Sequence, residues 1–266
     1  MDYAIGDVQG CFKTLQALLK KIQFRLDSDR LFFLGDVVNR GSNSLEVLRL
    51  ISSNRDNMQM VLGNHDFHLL VCAITERNPN KKDTFQDILA ASDKSTLLDY
   101  LLERPLAIEN DNALLVHAGV PPQWSINDVL ENSKLVEKNL KSKDVHNFLS
   151  KMYSNSPFTW HEQLTNEEKL RYTINALMRM RFCKSNGELE FTHKNLDQPP
   201  PNYFPWFTHK KRQMKNQKIF FGHWSTLQDV KTDNVYPLDH GCIWGGKLSA
   251  FNLTKHVTIS QQSLER

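Results

Sequence analysis

Short apolar, β-branched or aromatic runs recur along the chain, and each stops abruptly at Gly, Asp or His. Residues 3–5 run into Gly6-Asp7, 31–34 into Gly35-Asp36, and 58–62 into Gly63-Asn64. Residues 113–116 before His117 and 219–221 before Gly222-His223 have the same form. Unbroken runs of this length bounded by glycine predict buried strands. Between the first two lies the stripe Leu15, Leu18, Leu19, Ile22, at i, i+3, i+4, i+7, and Leu45, Leu48 and Ile51 precede the third. These stripes predict amphipathic helices. The alternation strand, helix, strand, helix, strand predicts parallel strands joined by right-handed crossovers, with polar residues at their carboxyl ends facing the ligand crevice.

The middle of the chain follows another rhythm. Residues 84–103 and roughly 127–182 have helical spacing with few strand signals, which predicts helical insertions over the site. Residues 197–206 (DQPPPNYFPW) carry three consecutive prolines that cannot donate backbone hydrogen bonds, and a loop is predicted there. Strand patterns return over 217–253 and 257–260, no internal repeat is visible, and residues 1–266 read as a single folding unit.

Composition narrows the classes further. At 266 residues, 24% charged and 40% hydrophobic, with 11 Gly and 10 Pro, the chain is neither disordered, collagenous nor a coiled coil. A net charge of +3 is mild for a nucleic-acid binder and points instead to a local cationic pocket for an anionic substrate. Cys11, Cys72, Cys183 and Cys242 form no CxxC pair, so neither a disulfide framework nor a zinc ribbon is signalled, and a reducing cytoplasm suits them. No run of about 18 apolar residues and no signal-peptide pattern occurs, so neither membrane insertion nor secretion is expected.

The chemistry gathers at the predicted strand ends. These carry GDVQG (6–10), GDVVNRG (35–41), GNHD (63–66), HAG (117–119) and GH (222–223). Asp7 and Asp36 stand 29 residues apart and Asp36 and Asn64 28 apart, each interval one strand–helix unit long. Five neighbouring strand ends would thus deliver two carboxylates, two amides and three imidazoles to one crevice, a donor set suited to a pair of divalent cations.

In that order these motifs resemble the metallophosphoesterase superfamily in its phosphoprotein-phosphatase branch. The later stretches NALMRMRFC (175–183), KIFFGHW (218–224) and LDHGCIWGG (238–246) are similar to the bacterial symmetrical diadenosine tetraphosphatases, and the resemblance spans nearly the whole chain. It implies a calcineurin-like α/β fold, of α+β type, in which a β-sandwich of two mixed sheets is flanked by helices. It also implies that Asp7, Gln9 and Asp36 hold one metal, and that Asp36 bridges to a second held by Asn64, His117 and His223. Such a pair sits about 3.5–4 Å apart and generates a metal-bridging hydroxide that attacks phosphorus in line. By the same resemblance His65 protonates the departing oxygen, Asn39 orients His65, and Arg40 grips a phosphoryl oxygen. Arg179 and Arg181 are candidates for the outer phosphates, and Trp206 and Trp224 for stacking on adenine.

Two departures from the superfamily pattern bear on the chemistry. Gln9 stands where histidine is usual; its harder amide oxygen favours Mn²⁺ or Mg²⁺, with Co²⁺ a further possibility. Asn39 stands where the protein phosphatases have aspartate, which adds no charge behind His65 and suits a leaving group less basic than a seryl alkoxide. The implied activity is cleavage of diadenosine tetraphosphate into two ADP. The alternatives are a phosphoprotein phosphatase, removal of nucleoside-tetraphosphate caps from 5′-capped RNA, and a non-catalytic module on the same fold. The expected partner is a dinucleoside polyphosphate, with no membrane and no obligate protein partner.

Overall fold

The computed structural model describes residues 1–111, 113–196, 200–227 and 232–265. The first third alternates as its hydrophobic pattern predicts: β1 (Asp2–Ile5), α1 (Phe12–Lys21), β2 (Arg30–Phe33), α2 (Ser44–Ser53), β3 (Met58–Met60) and α3 (Asn64–Ile74). Then come α4 (Gln86–Ala90), α5 (Lys94–Leu102), the antiparallel pair β4 (Ala107–Asn110) and β5 (Ala113–Val116), and the helices α6 (Ile126–Leu140), α7 (Val145–Met152) and α8 (Asn166–Arg179). The last third holds β6 (Phe182–Cys183), β7 (Leu189–Glu190), β8 (Phe204–Pro205), β9 (Lys218–Phe221), β10 (Val235–Pro237), β11 (Asp239–His240), β12 (Lys247–Asn252) and β13 (Val257–Gln262).

Two mixed sheets form the centre. In one the order is β3-β2-β1-β12, with β11 and β13 also paired to β12; β1, β2 and β3 are parallel and β12 runs against them. The other has the order β10-β9-β5-β4, parallel except for β4. Ala4, Phe32, Leu34 and Phe251 from the first sheet and Ala113, Leu115 and Phe220 from the second form one cluster. The alternating residues, Tyr3, Ile5, Leu31, Phe33, Leu114, Val116, Ile219 and Phe221, belong to the larger core that contains the buried faces of the helices. Both faces of each central strand are therefore covered, which is why these strands read as unbroken apolar runs. The predicted β-sandwich flanked by helices is the fold observed.

The helices begin where local chemistry tells them to. Thr165 caps α8, its hydroxyl accepting from Glu168 N while the Glu168 carboxylate accepts from Thr165 N, and Ser125 with Asp128 does the same for α6.

Three expectations need correction. The five ligand-bearing strand ends are not neighbours in one sheet: β1, β2 and β3 belong to one and β5 and β9 to the other, so the crevice opens where two sheets end together. Within 84–103, α4 and α5 pack against α2 and α3 on the flank; of the two helical regions only the later one stands over the site. Within 197–206, Phe204–Pro205 pair with β6 at the edge of a three-stranded sheet, where a missing N–H is tolerated, and Trp206 starts a 3₁₀ turn. Residues 197–199 lie outside the described residues.

Candidate metal centre

The strand ends are held in costly backbone. Gln9, Asp36, Asn39, Arg40 and His223 all have left-handed φ, between 46° and 77°, a region that residues with a Cβ rarely occupy unless their surroundings enforce it. The enforcement is visible. Gln9 N donates to Asp36 O (2.8 Å) and Gly41 N to Gln9 O (2.9 Å), tying the first two loops together. The buried Asp66 carboxylate accepts from Asp36 N (2.7 Å), Gly63 N (2.9 Å) and Val37 N (3.0 Å). Sequence reading gave Asp66 no role. Its signal was the fourth letter of GNHD, at the third position of α3, where a carboxylate can gather backbone donors. Close approach explains two glycines: a Cβ on Gly63 would lie 2.2 Å from Asp36 Oδ1, and one on Gly222 2.0 Å from Asp7 Oδ1.

Four strand ends converge on one point. Donor atoms of Asp36, His117 and His223 all lie within 4.8 Å of one another, with His117 Nε2 3.4 Å from Asp36 Oδ2. His117 Nδ1 faces Leu34 O at 2.7 Å and donates there, leaving Nε2 as the lone-pair atom. His223 Nε2 faces Arg179 O at 3.1 Å and donates there, leaving Nδ1. Backbone carbonyls thus set both tautomers so that the free ring nitrogens point inward, as metal-ligating histidines require. One end of the Asn64 amide lies 3.2 Å from His117 Nε2 and 2.8 Å from His223 Nδ1. With oxygen there, three lone-pair donors and a carboxylate face each other, an arrangement that a divalent cation resolves. Asp7 closes the far side, its Oδ1 accepting from His223 N (3.0 Å).

Electrostatics point the same way. Asp7, Asp36, Asp66 and Asp239 are all buried here. Burial, with the charges of Asp239 and Asp36, drives the Asp7 carboxyl well above the usual range. Burial and Asp36 push Asp66 up to about 7, and burial raises Asp239 to about 6. Against its own burial, Asp36 is held down at about 2 by His117 and His65. So much negative charge out of water calls for cations. The donor set is hard carboxylate and amide oxygen with imidazole, which fits a divalent pair of the kind the motifs imply.

His65 stands beside this cluster with Nε2 3.9 Å from Asp36 Oδ2, and its Nδ1 is 3.0 Å from Asn39 Nδ2. Burial, with Arg40 adding to it, holds the His65 imidazole below the usual histidine range. Behind Asn39 lies a carboxylate that sequence reading missed. Asp83 Oδ1 accepts from Asn39 Nδ2 (3.0 Å), and Asp83 Oδ2 accepts from Asn80 N (2.6 Å) and sits 2.7 Å from His68 Nε2. Although burial works against it, the bonds from Asn39 and His68 keep Asp83 below the usual carboxylate range. His68 is thereby joined to the site through Asp83 and Asn39. Arg40 leans over the same loop, Nη1 donating to Lys82 O (2.8 Å).

A cavity of about 630 Å³ opens from His65 and Asn64 toward α7 and α8, and its cations are Arg40, Arg179 and Lys194. No carboxylate is among its described lining residues. Arg179, the last residue of α8, is held by Asn175 Oδ1 (2.8 Å) and lies over Phe191. Arg181 is past the helix end and turns the other way: Nη2 donates to His223 O (2.9 Å), and burial lowers its guanidinium to about 10 while Asp239 and Asp7 oppose the shift. Arg179 lines the cavity and Arg181 does not, and the Arg179 carbonyl and the Arg181 guanidinium both bond His223. The two tryptophans do not reach the cavity. Trp206 is 1% exposed against Phe221 and Phe207, and Trp224 2% exposed against Phe182, with its Nε1 donating to Lys194 O. Both are core, which corrects their assignment as base platforms; the aromatic side chains lining the cavity are Phe67 and Tyr153.

A two-sheet sandwich with carboxylate, amide and imidazole donors converging at its strand ends defines a metal-dependent phosphoesterase. The chain belongs to the calcineurin-like phosphoesterase family, whose pattern matches residues 3–224. It is 45% identical over 256 residues, 94% of each chain, to the symmetrical bis(5′-nucleosyl)-tetraphosphatase of Cellvibrio japonicus (strain Ueda107). It is 44% identical over 261 residues to the Neisseria meningitidis protein of the same name, covering 97% of this chain and 95% of that one. The fold is shared with a crystal structure provisionally identified as a diadenosine tetraphosphatase (TM-score 0.64, 24% identity, covering 100% of this chain and 94% of that one).

Proposed function

We propose that this enzyme hydrolyses diadenosine tetraphosphate symmetrically into two ADP. The observation that carries the reading is the donor cluster of Asp36, Asn64, His117 and His223 next to a cavity whose cations are Arg40, Arg179 and Lys194, with no carboxylate among its described lining residues. Support for the substrate comes from relatives of nearly equal length that carry this activity in their names.

Asp7, Gln9 and Asp36 would hold one divalent ion, and Asp36, Asn64, His117 and His223 a second; we assign Mn²⁺ to the pair, with Mg²⁺ or Co²⁺ the alternatives, the hard oxygen of Gln9 favouring Mn²⁺ or Mg²⁺ at the first site. When bound, the pair activates water and neutralises charge on the phosphoryl oxygens. Arg40 binds one of those oxygens and orients the middle phosphorus. Water adds to that phosphorus, the bond to the central bridging oxygen breaks, and the bridging oxygen leaves on ADP. His65 donates an Nε2–H hydrogen bond to that oxygen as its charge develops; the oxygen leaves as the weakly basic terminal phosphate anion of ADP, and the proton lost by water passes to solvent. We read the chain as one folding unit with the helices of 84–103 and 127–182 as insertions. We further place it in the cytoplasm, where its four buried free thiols stay reduced. Among the described residues no helix is long and apolar enough to cross a membrane.

Chromatography of products from diadenosine tetraphosphate, with metal-free and Mn²⁺-loaded enzyme, tests the reading. ADP alone, and only with metal, is the expected result. AMP plus ATP would overturn the cleavage position, and turnover of a phosphoprotein or a tetraphosphate-capped RNA without turnover of the dinucleotide would overturn the substrate.

A further inference from the structure

Asn39 replaces the carboxylate that the protein phosphatases place behind their catalytic histidine, yet a buried carboxylate is present one residue further back. Asp83 lies in the loop before α4, and its side chain is fully buried. It stands 44 positions from Asn39 in sequence and 3.0 Å from it in space.

The Asn39 amide has only one orientation open to it. Its Oδ1 accepts from Arg40 N (2.8 Å) and Thr84 N (3.0 Å), both backbone donors, so Nδ2 must be the other end. One Nδ2 hydrogen goes to Asp83 Oδ1, which as a carboxylate can only accept. The other then points at His65 Nδ1, 3.0 Å away. Since Nδ2 has no lone pair, His65 Nδ1 must be the acceptor, and the ring hydrogen resides on Nε2. That is the atom on the Asp36 side. The far side of Asp83 is closed in the same sense: His68 Nε2 donates to Oδ2 (2.7 Å), and Tyr153 OH, on the cavity wall, donates to His68 Nδ1 (2.9 Å).

We propose that Asp83 is a positioning residue for His65: through Asn39 it fixes the imidazole tautomer that carries its hydrogen on Nε2, toward the departing oxygen. This rests on the reading of His65 as the group that meets the leaving oxygen. Asp83 also lies 3.5 Å from Arg40 Nη1, so a merely structural role, holding the Arg40 loop, is the rival explanation.

The test is a double-mutant cycle in the full-length Mn²⁺-loaded enzyme with diadenosine tetraphosphate. Asp83→Asn should lower kcat about 10–100-fold, the range for removing a partner that orients a catalytic or ligating histidine, with KM changed less than about threefold and metal content unchanged. In a His65→Ala background the same substitution should cost almost nothing further. An equal loss in both backgrounds would overturn the proposal in favour of the structural role, as would a rise in KM that vanishes in an Arg40→Ala background. Should Asp83→Asn fail to fold, Asn39→Gly removes the relay while tolerating the left-handed φ, and the same non-additivity with His65 is expected. Imidazole ¹⁵N NMR of the Mg²⁺-loaded wild type reads the tautomer directly: hydrogen on Nε2 supports the assignment and hydrogen on Nδ1 overturns it. If His65→Ala retained full activity, the role of His65 would fail, while the spectrum would still decide whether Asp83 and Asn39 set the tautomer.

Discussion

The strand ends and the helical wall face the same crevice but are built on opposite terms. At the strand ends each side chain that points inward is fixed from behind: His117 by Leu34 O, His223 by Arg179 O, Asp36 by His65 N, and the loop of Asp36 by Asp66. The backbone there is strained at Gln9, Asp36, Asn39, Arg40 and His223, and those bonds are what sustains it. The wall contributed by α8 is relaxed helix, and Arg179 extends from its last turn on a bond to Asn175 and contact with Phe191. The first region is a preorganised unit whose parts cannot be lost singly, and the second is a set of graded, separable contacts.

The sharpest way to break that contrast is at Asp36, which faces both proposed ions. Asp36→Ala should abolish metal binding and lower kcat/KM by at least about three orders of magnitude, since metal activation and electrostatic stabilisation go together. Metal content by elemental analysis, beside steady-state rates, checks this; a metal-replete and active variant would remove the di-metal reading altogether.

Asp66 asks whether the support matters as much as the ligands. Asp66→Asn keeps the shape, but Asp36 N and Gly63 N bond one carboxylate oxygen and Val37 N and Val38 N the other, so either amide orientation turns an N–H toward one of these pairs and leaves donors facing donors. The apparent affinity for Mn²⁺ should fall about 10–100-fold while saturating metal restores most of the rate. Metal titration of activity measures it, and an unchanged midpoint would mean that the strained loop holds itself.

Legibility from sequence divides along the same line. The strand ends were readable because covering both faces of a strand forces an unbroken apolar run, and close approach forces glycine at positions such as Gly63 and Gly222; apart from Gln9, the proposed ligands follow their runs within two residues. Asp66 was in plain view in GNHD but has no chemistry of its own, only backbone donors to collect. Asp83 had no local sign at all, because its meaning is a contact with Asn39 that only the folded loop creates. The tryptophans misled for a related reason: an aromatic residue beside a motif has the same letter whether it stacks on a base or fills the layer beneath.

At the wall the effect should be smaller and confined to binding. Arg179→Ala removes a cation from the cavity but touches no strand end through its side chain. KM for diadenosine tetraphosphate should rise about tenfold, roughly 1.4 kcal/mol, with kcat within about threefold. Equal losses in kcat and kcat/KM would show instead that Arg179 acts only in the transition state, and the wall would then belong with the preorganised unit.

The smallest expected effect comes from Trp206, and it asks whether the aromatic layer beneath the site communicates with substrate. The ring packs against Phe207 and Phe221, at 5.6 and 5.4 Å between centroids, on the strand that leads to Gly222-His223. Its indole Nε1 is buried with no hydrogen-bond partner among the described residues. Trp206→Phe gives up contact area but also removes that orphaned donor, and the two terms oppose one another. The net change in stability should stay within about 1 kcal/mol, or a Tm shift of roughly 2–4 °C for a chain of this size. KM should not move, because no face of the ring is open to a base. A raised KM at unchanged Tm would place Trp206 in contact with the nucleotide. A lowered kcat at unchanged KM would show that the layer under β9 helps hold His223, extending the preorganised region one shell deeper than its hydrogen bonds indicate.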